Sequence, residues 1–278
     1  MHIHAQQTVA SKRTNATPAP LSVVIPCYRS QATIARAIDS VFNQSWRAAE
    51  LIIVDDCSPD DAHEFVTRLS ESYPENWIKI FRRKINGGPG LARNDGWNVA
   101  QENYVAFLDA DDTWHPAKTK LQLSYMLHNQ EVDMTSTRRV LFAQDTLQAE
   151  LNVRELSFTN MLWRNQAAIS GTILKRALPQ RFPNHRRLCE DYSLWLSALA
   201  ENCKARLLDA PLAFAHKAAY GESGLSAQLW SMQRNELGVF SDLWRLKKMS
   251  LPVYVSCSAF SLTKYAYRVL TSKVLPRR

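Results

Sequence analysis

The chain has 278 residues, of which 46% are hydrophobic and 22% charged, so it is long enough for one large globular α/β domain. Its net charge of +8 permits nucleotides, nucleic acid or anionic lipid as partners, and does not choose among them. Five scattered cysteines without a CxxC pair argue against zinc and favour a reducing, cytoplasmic compartment. No apolar run reaches the roughly 18 residues that a membrane span needs. Residues 1–20 lack a secretory signal, and we expect them to form a disordered arm.

Strands and helices alternate along the first half of the chain. Short apolar or β-branched runs predict strands at Leu21–Pro26, Glu50–Asp56, Trp77–Phe81 and from Tyr104. Apolar residues at helical spacing predict helices at Thr33–Gln44, Asp60–Ser72, Leu91–Ala100 and from about Pro116. This alternation is typical of βαβ units and a mostly parallel sheet.

The second half is less regular. Helices are predicted at Leu156–Trp163, Glu190–Asn202, Leu225–Leu246 and Ser250–Val274, and strands at Ala167–Leu174, Ala205–Leu208 and Ala213–Ala215. The expected fold class is therefore α/β, with a mixed, mostly parallel sheet flanked by helices and a basic, helical C-terminal extension. We expect the main domain to cover residues 21–220, with a first half (21–116) and a less regular second half (117–220), and the extension to cover 221–278.

Carboxylates follow two predicted strands where each strand ends. They are Asp55 and Asp56 after the second strand, and Asp109, Asp111 and Asp112 after the strand from Tyr104. In open α/β sheets, ligands bind at the carboxyl ends of the strands. Clustered carboxylates repel unless a cation lies among them, and Mg²⁺ or Mn²⁺ with a phosphate is the usual reason. The alternative is an acidic turn in which Asp112 or Thr113 caps the next helix.

The end of the first strand and a glycine-rich turn adjoin this edge. A nucleotide could lie across Pro26 and its neighbours, with its base stacked on Tyr28. Arg93, in the first helical turn after the glycines of residues 86–90, would project toward the phosphates. The turn has neither the Gly-Lys-Ser/Thr of a Walker A loop nor a Gly-x-Gly-x-x-Gly pattern, which argues against ATPase and dinucleotide-binding functions.

The order of these motifs resembles a family 2 inverting glycosyltransferase with the GT-A fold, a Rossmann-like architecture. The matching pieces are Val23–Tyr28, Ser40–Gln44, Glu50–Asp60, Asn86–Gly96, Tyr104–Pro116 and Glu190-Asp191. Each piece alone is weak, but together in this order and spacing they are specific, and they cover about residues 20–220. The resemblance implies a metal-assisted transfer of sugar from a nucleotide diphosphate donor. It also implies that residues 21–116 form the nucleotide-binding half of the domain and residues 117–220 the acceptor half.

The resemblance also implies roles for single residues. Asp56, with Asp55 beside it, resembles the residue that hydrogen-bonds the base. Asp109-Ala110-Asp111 resembles the DxD motif, in which Asp111 would bind Mn²⁺ or Mg²⁺ directly and Asp109 would act on the ribose or through water. Asp191 resembles the catalytic base that deprotonates the acceptor hydroxyl.

Four further residues are candidates with simpler alternatives. His216 and Lys217 could contact the metal or diphosphate from a glycine-containing lid, or lie in an ordinary loop. Glu190 could support the base or contact the acceptor, and Trp114 could line the acceptor pocket or belong to the core.

Two positions depart from the family pattern. Arg29 replaces a common Asn, and Cys57 replaces a common Gly. Cys57 is accommodated if the backbone there does not require a positive φ. Neither departure removes a catalytic group.

We therefore expect an inverting transferase that moves a sugar to a hydroxyl of a lipid-linked or oligosaccharide acceptor. The expected donor is a nucleotide diphosphate sugar, and a UDP-sugar is the first choice. A bacterial surface polysaccharide is the expected product. The alternatives are a sugar-nucleotide nucleotidyltransferase and a non-catalytic binder of anionic ligands or membranes; no nucleic-acid motif is present. The basic last helix could lie on the inner membrane, or pack its apolar face on the domain and leave its charges in water.

Overall fold

The computed structural model describes residues 17–141, 151–216 and 229–274, and there a nine-stranded mixed sheet is flanked by helices. The strands are β1 (Ala19–Cys27), β2 (Ala48–Asp55), β3 (Ile78–Arg82), β4 (Tyr104–Phe107), β5 (Asp112–Trp114), β6 (Met134–Leu141), β7 (Val153–Leu156), β8 (Ile173–Lys175) and β9 (Ala205–Ala215). The helices are α1 (Ile34–Phe42), α2 (Ala62–Ser70), α3 (Pro89–Val99), α4 (Lys118–His128), α5 (Phe158–Trp163), α6 (Glu190–Ala200), α7 (Leu229–Arg245) and α8 (Leu251–Val274).

The sheet runs in the order β3-β2-β1-β4-β8-β6-β9-β5, and β7 pairs with β9 outside this path. The strands β3, β2, β1 and β4 are mutually parallel, while β8 is antiparallel to both β4 and β6. The pair β6 and β9 is again parallel, and β5 and β7 run antiparallel to β9. The parallel half therefore brings the carboxyl ends of β1, β2 and β4 to one edge, as the expected mixed α/β architecture requires.

Alternating residues of the inner strands face two separate apolar cores. In β1, Val24 faces the core that α3, α5, α6 and α7 cover, while Val23 and Ile25 face the core of α1, α2 and α4. Gly96 allows α3 to lie close on this strand, because a Cβ at that position would come within 2.4 Å of Val24 Cγ1. Burial on both faces explains why these strands read as continuous apolar runs.

The second half differs from its predicted elements. The strand predicted at Ala167–Leu174 is a 3₁₀ turn, Ile169–Gly171, followed by the short β8, and the two strands predicted at 205–215 form the single β9. Sequence patterning also missed β6. Its segment Thr135-Ser136-Thr137 is polar but fully buried between neighbouring strands, so no apolar alternation marks it.

The C-terminal helices form a layer outside the sheet. Phe240 of α7 packs edge-on against Tyr192 of α6, and Phe260 of α8 packs against Trp163 of α5. Within the described ranges, no helix is both long and apolar enough to cross a bilayer.

Candidate active site

The acidic loop between β4 and β5 is held by three arginines from three different elements. Arg93 of α3 donates to Asp109 Oδ1 at 2.6 Å. Arg36 of α1 donates to the backbone oxygen of Asp111 at 3.0 Å. Arg139 of β6 makes a bidentate pair with Asp112 at 2.6 and 2.7 Å. These cations offset the repulsion among the clustered carboxylates and give the loop a defined shape.

Asp112 is an anchor of this loop and not a helix cap. The residue is fully buried in β5, where it accepts a 2.6 Å hydrogen bond from Ser170 Oγ in addition to the Arg139 pair. Ser170 Oγ also accepts a hydrogen bond from the backbone N–H of Asp109 at 3.2 Å. Thr113 likewise lies in β5, and α4 begins only at Lys118 without a side-chain cap. The alternative of a capping turn was therefore wrong for these two residues.

His216 lies beside the same loop. The antiparallel register pairs Asp112 with Ala215 at the end of these strands, and the charge of Asp111, the residue before β5, acts on His216, the residue after β9. The His216 Nε2 lies 2.8 Å from Thr113 Oγ1. Burial, followed by the positive charge of Arg36, lowers the pKa of the His216 imidazole. A neutral imidazole at this position retains a nitrogen lone pair.

A divalent cation fits the chemistry of these donors. Asp109 and Asp111 supply the hard carboxylate oxygens that Mg²⁺ and Mn²⁺ prefer. Among the described residues, no three His, Cys, Asp or Glu side chains gather into a complete metal site. Magnesium is commonly held by one or two carboxylates together with substrate phosphates and water, and Asp109 and Asp111 could supply those carboxylates.

Arg93 joins the acidic loop to the start of α6. Its guanidinium donates to Asp109 on one side and to Glu190 Oε1 at 2.9 Å on the other, across 97 residues of sequence. The arginine is only 4% exposed, and both partners raise its pKa against the opposing effect of burial. It is thus occupied by two carboxylates here, and its predicted contact with phosphates remains a prediction.

Asp191 stands next to this bridge at the beginning of α6. The residue before α6, Cys189, has a left-handed φ of 58°, which turns the chain sharply into the helix. Asp191 Oδ1 accepts a 2.7 Å hydrogen bond from its neighbour's backbone N–H, at Tyr192. Burial first, and the adjacent Glu190 carboxylate second, raise the pKa of Asp191 to about 7. A carboxylate with such a pKa is suited to accept a proton near neutral pH.

Asp56 organises the glycine-rich turn. Its two carboxylate oxygens accept hydrogen bonds from the backbone N–H groups of Gly87 (2.9 Å) and Gly88 (2.7 Å), and Arg83 donates to the same side chain at 2.6 Å. Gly88 has a φ of 89°, a conformation that favours glycine, and it leads directly into α3. The structure places Asp56 in the support of this turn, and its predicted contact with a base stays a prediction.

The end of β1 presents an exposed aromatic ring. Tyr28 is 44% exposed, and the guanidinium of Arg29 lies 5.5 Å from the centre of its ring. Pro26 pairs in register with Val54 of β2, and the buried Asp55 at the end of β2 accepts a hydrogen bond from the backbone N–H of Ser58. An exposed ring at this edge is available to stack on a base.

Both departures from the family pattern fall on left-handed backbone. Arg29 has a φ of 51° and Cys57 a φ of 59°. The condition set for Cys57, that its backbone should not require a positive φ, is therefore not met. Asn and Gly tolerate this conformation better than other residues, which explains the family preference; a side chain there costs about 1–2 kcal/mol.

Two remaining candidates have different outcomes. Trp114 is 3% exposed and donates to the backbone oxygen of Ser170 at 2.6 Å, so it belongs to the core, and a role in acceptor binding stays a prediction. Lys217 lies outside the described residues, as does the whole of the predicted lid that follows it.

Sequence reasoning missed several residues that shape the site. They are Arg36, Arg83, Arg139 and Ser170. Each is a common surface residue type whose partner is distant in the chain. No local pattern distinguishes such a residue from a solvated one. The acidic cluster indicates that cations must surround it, but it does not show which arginines supply them.

Comparison with known proteins agrees with this geometry. The model of the family described as Glycosyl transferase family 2 matches residues 22–180. A relative from Escherichia coli, the UDP-Glc:alpha-D-GlcNAc-diphosphoundecaprenol beta-1,3-glucosyltransferase WfgD, is 30% identical over 66% of this chain and 70% of its own length. The putative teichuronic acid biosynthesis glycosyltransferase TuaG of Bacillus subtilis is 28% identical over 82% of this chain and 90% of its own.

Solved structures share the fold at low sequence identity. The Mannosyltransferase PcManGT from Pyrobaculum calidifontis, in complex with GDP-Man and Mn²⁺, superposes with a TM-score of 0.64 and 18% identity, over 95% of this chain and 79% of its own. S. aureus TarS 1–349 in complex with UDP-GlcNAc gives a TM-score of 0.62 and 20% identity, over 87% and 71%. The architecture is thus the GT-A fold expected from the motifs. Taken with the match over more than half of the chain, these findings show that the protein belongs to glycosyltransferase family 2 and is a glycosyltransferase.

Proposed function

We propose that this enzyme transfers a sugar from a UDP-sugar, with inversion, to a hydroxyl of a growing surface glycan carried on a lipid at the cytoplasmic face of the inner membrane. The observation that carries the proposal is the bridge from Asp109 through Arg93 to Glu190. It brings the acidic loop, where the donor diphosphate would bind, next to the helix start that carries Asp191. A general base beside a diphosphate site is the arrangement that direct displacement at an anomeric carbon requires.

In this proposal Asp191 accepts the proton of the acceptor hydroxyl as its oxygen attacks the anomeric carbon. The bond from that carbon to the donor diphosphate breaks on the opposite face, and the nucleoside diphosphate leaves. A divalent cation bound through Asp111 and the diphosphate would offset the negative charge on the leaving group. Glu190, whose carboxylate is tied to Arg93, holds the start of α6 in place.

The donor end of the site is assigned on chemical grounds. Tyr28 would stack on the base, and Asp55 and Asp56 lie at the end of the neighbouring strand. The relative WfgD is named for UDP-Glc as donor and alpha-D-GlcNAc-diphosphoundecaprenol as acceptor, TuaG for teichuronic acid biosynthesis, and the TarS structure is a complex with UDP-GlcNAc. These names support a UDP-sugar and a lipid-linked acceptor as the first candidates.

The experiment that tests the donor assignment is thermal-shift binding with UDP, GDP, CDP, ADP and TDP, each with and without Mn²⁺. A ligand that binds only the folded state raises the melting temperature. We expect a metal-dependent increase with UDP that Asp111→Ala abolishes, while Asp133→Ala, a change to an acidic residue on a different loop, retains it. A shift with another nucleotide alone would replace the UDP assignment, and no metal dependence would remove the metal from the mechanism.

A transfer assay then tests the base. UDP-sugar and a synthetic acceptor in which a sugar is linked to polyprenyl diphosphate should give a product with inverted anomeric configuration, readable by NMR. Retention of configuration would exclude the single displacement in which Asp191 acts as base.

A further inference from the structure

Over residues 251–271, whose side chains the structure describes, the outward face of α8 is mostly apolar and carries no charge. The exposed residues of this face are Leu251, Pro252, Val253, Val255, Ser256, Ala259, Phe260, Leu262, Thr263, Ala266, Tyr267 and Leu270. Several are highly exposed: Leu270 is 62%, Tyr267 69% and Val255 55% accessible. Single exposed apolar residues are ordinary on a protein surface, but a continuous patch of this kind marks an interaction surface.

The charged side chains described in α8 turn the other way. Lys264 pairs with Glu236 of α7 at 3.3 Å, and Arg268 donates to Gln233 of α7 at 3.4 Å. The inner side of the helix also buries Cys257 and Ser261 against its neighbours. This orientation corrects the ordinary expectation for a basic amphipathic helix, in which the apolar face packs on the domain and the charges remain in water.

The net positive charge of the protein is concentrated in the same segment. From Arg245 to Arg278 the sequence contains no Asp or Glu. Its basic residues are Arg245, Lys247, Lys248, Lys264, Arg268, Lys273, Arg277 and Arg278. The charge of these basic residues equals the net charge of the whole chain, +8. The rest of the chain contains all 26 acidic residues and an equal number of Lys and Arg, so its net charge is zero. The apolar face therefore lies within the part of the chain that anionic surfaces attract.

We infer that α8 lies in the surface of an anionic lipid bilayer, with its uncharged face at the headgroup level. At 3.6 residues per turn, the exposed positions cover roughly 200° of the helix circumference. A partner helix covers an apolar stripe of about 100°, so a second copy of this chain would leave much of the face in water. Two copies would also bring two strongly basic segments together. An anionic bilayer stabilises such a helix in two ways: the apolar face is buried among the lipids, and the neighbouring Lys and Arg residues are attracted to the charged headgroups.

This orientation also has a consequence for the active site. The backbone oxygen of Met232 in α7 lies 3.7 Å from Cys189 Sγ, directly before the start of α6, and α8 packs on the outside of α7. Binding through α8 would hold the start of α6 near the lipid surface. This part of the inference rests on the proposed function, since it concerns delivery of a lipid-linked acceptor to Asp191.

Vesicle sedimentation tests the surface without reference to catalysis. We expect the full chain to pellet with phosphatidylcholine vesicles that contain phosphatidylglycerol, and much less with phosphatidylcholine alone. The variant Leu262→Glu/Leu270→Glu places two negative charges in the exposed face and should lose about tenfold or more of its binding. The matched control, Val99→Glu/Leu127→Glu, makes the same change at exposed positions of α3 and α4 and should bind like the unmodified protein.

The possible outcomes separate the explanations. Equal binding of both variants, or no binding to anionic vesicles, would overturn the inference. A loss of mass from dimer to monomer in the Leu262→Glu/Leu270→Glu variant, measured by light scattering, would instead assign the face to a second copy. The nucleotide thermal shift serves as the independent readout. If the protein binds UDP but not vesicles, the proposed donor site stands and the membrane surface is refuted. If it binds vesicles but no nucleotide, the membrane surface stands and the proposed donor site is refuted.

Discussion

Replacing Arg93 by Met tests whether this arginine is a structural bridge or a phosphate ligand. Arg93→Met leaves two carboxylates without their cation: Glu190, whose side chain is 10% exposed, and Asp109, which is 29% exposed. Removing one partner of a buried ion pair costs about 3–5 kcal/mol, and the partial exposure of Asp109 places the expected loss near the lower limit. A loss of about 3 kcal/mol corresponds to a decrease in melting temperature of about 6–12 °C for a chain of this size.

Urea unfolding followed by tryptophan fluorescence measures this loss in the absence of any nucleotide. Adding Glu190→Gln to Arg93→Met removes the more buried of the two orphaned charges, so the double variant should recover at least about 1 kcal/mol. The control is Arg154→Met, which breaks the half-exposed ion pair with Asp209 and should cost no more than about 1 kcal/mol.

The same measurement can refute the reasoning. If Arg93 served mainly to bind phosphate, the free energy of unfolding without ligand would remain within about 1 kcal/mol of that of the unmodified protein, and UDP affinity alone would fall. A double variant that is no more stable than Arg93→Met would likewise show that Glu190 gains nothing from the bridge.

The remaining predictions concern the reaction and the packing of α3. Asp191→Asn should lower kcat by about 10²–10⁴-fold while UDP binding is retained; unchanged turnover would remove Asp191 as the base. Because the pKa of Asp191 in the unliganded protein is raised to about 7 and only the ionised base accepts a proton, kcat/KM should rise with pH through about 7 and level off above it; a kcat/KM that falls over this range would contradict the assignment. EDTA should stop transfer and Mn²⁺ or Mg²⁺ should restore it, whereas full activity in chelator would make the acidic loop, including Asp111, purely structural. Gly96→Ala should lower the free energy of unfolding by about 1–3 kcal/mol, because its Cβ would overlap Val24, and a neutral effect would mean that α3 can move away from β1.

The first half of the fold was predictable because each element there carries its own local signal. The strands β1, β2 and β4 are buried on both faces and therefore read as apolar runs, and α1 places Ile34, Ala37, Ile38 and Val41 on one buried side. The polar strand β6 had no such signal. Its Thr135 is buried against Gln122 and Met126 of α4, and its Ser136 accepts a hydrogen bond from Thr172, so residues from elsewhere in the chain cover both side chains.

The sequence by itself determined the chemistry that this protein carries: its family, its strand ends and the carboxylates placed after them. Those features depend on residues close together in the chain, and local steric and hydrophobic preferences act over the same short range. Only the tertiary structure decided that Arg93 bridges Asp109 and Glu190, and that α8 turns its charges inward and its apolar face outward. Both results depend on which distant partners a side chain meets after folding, and helical periodicity shows that two faces exist without showing which of them the rest of the protein covers.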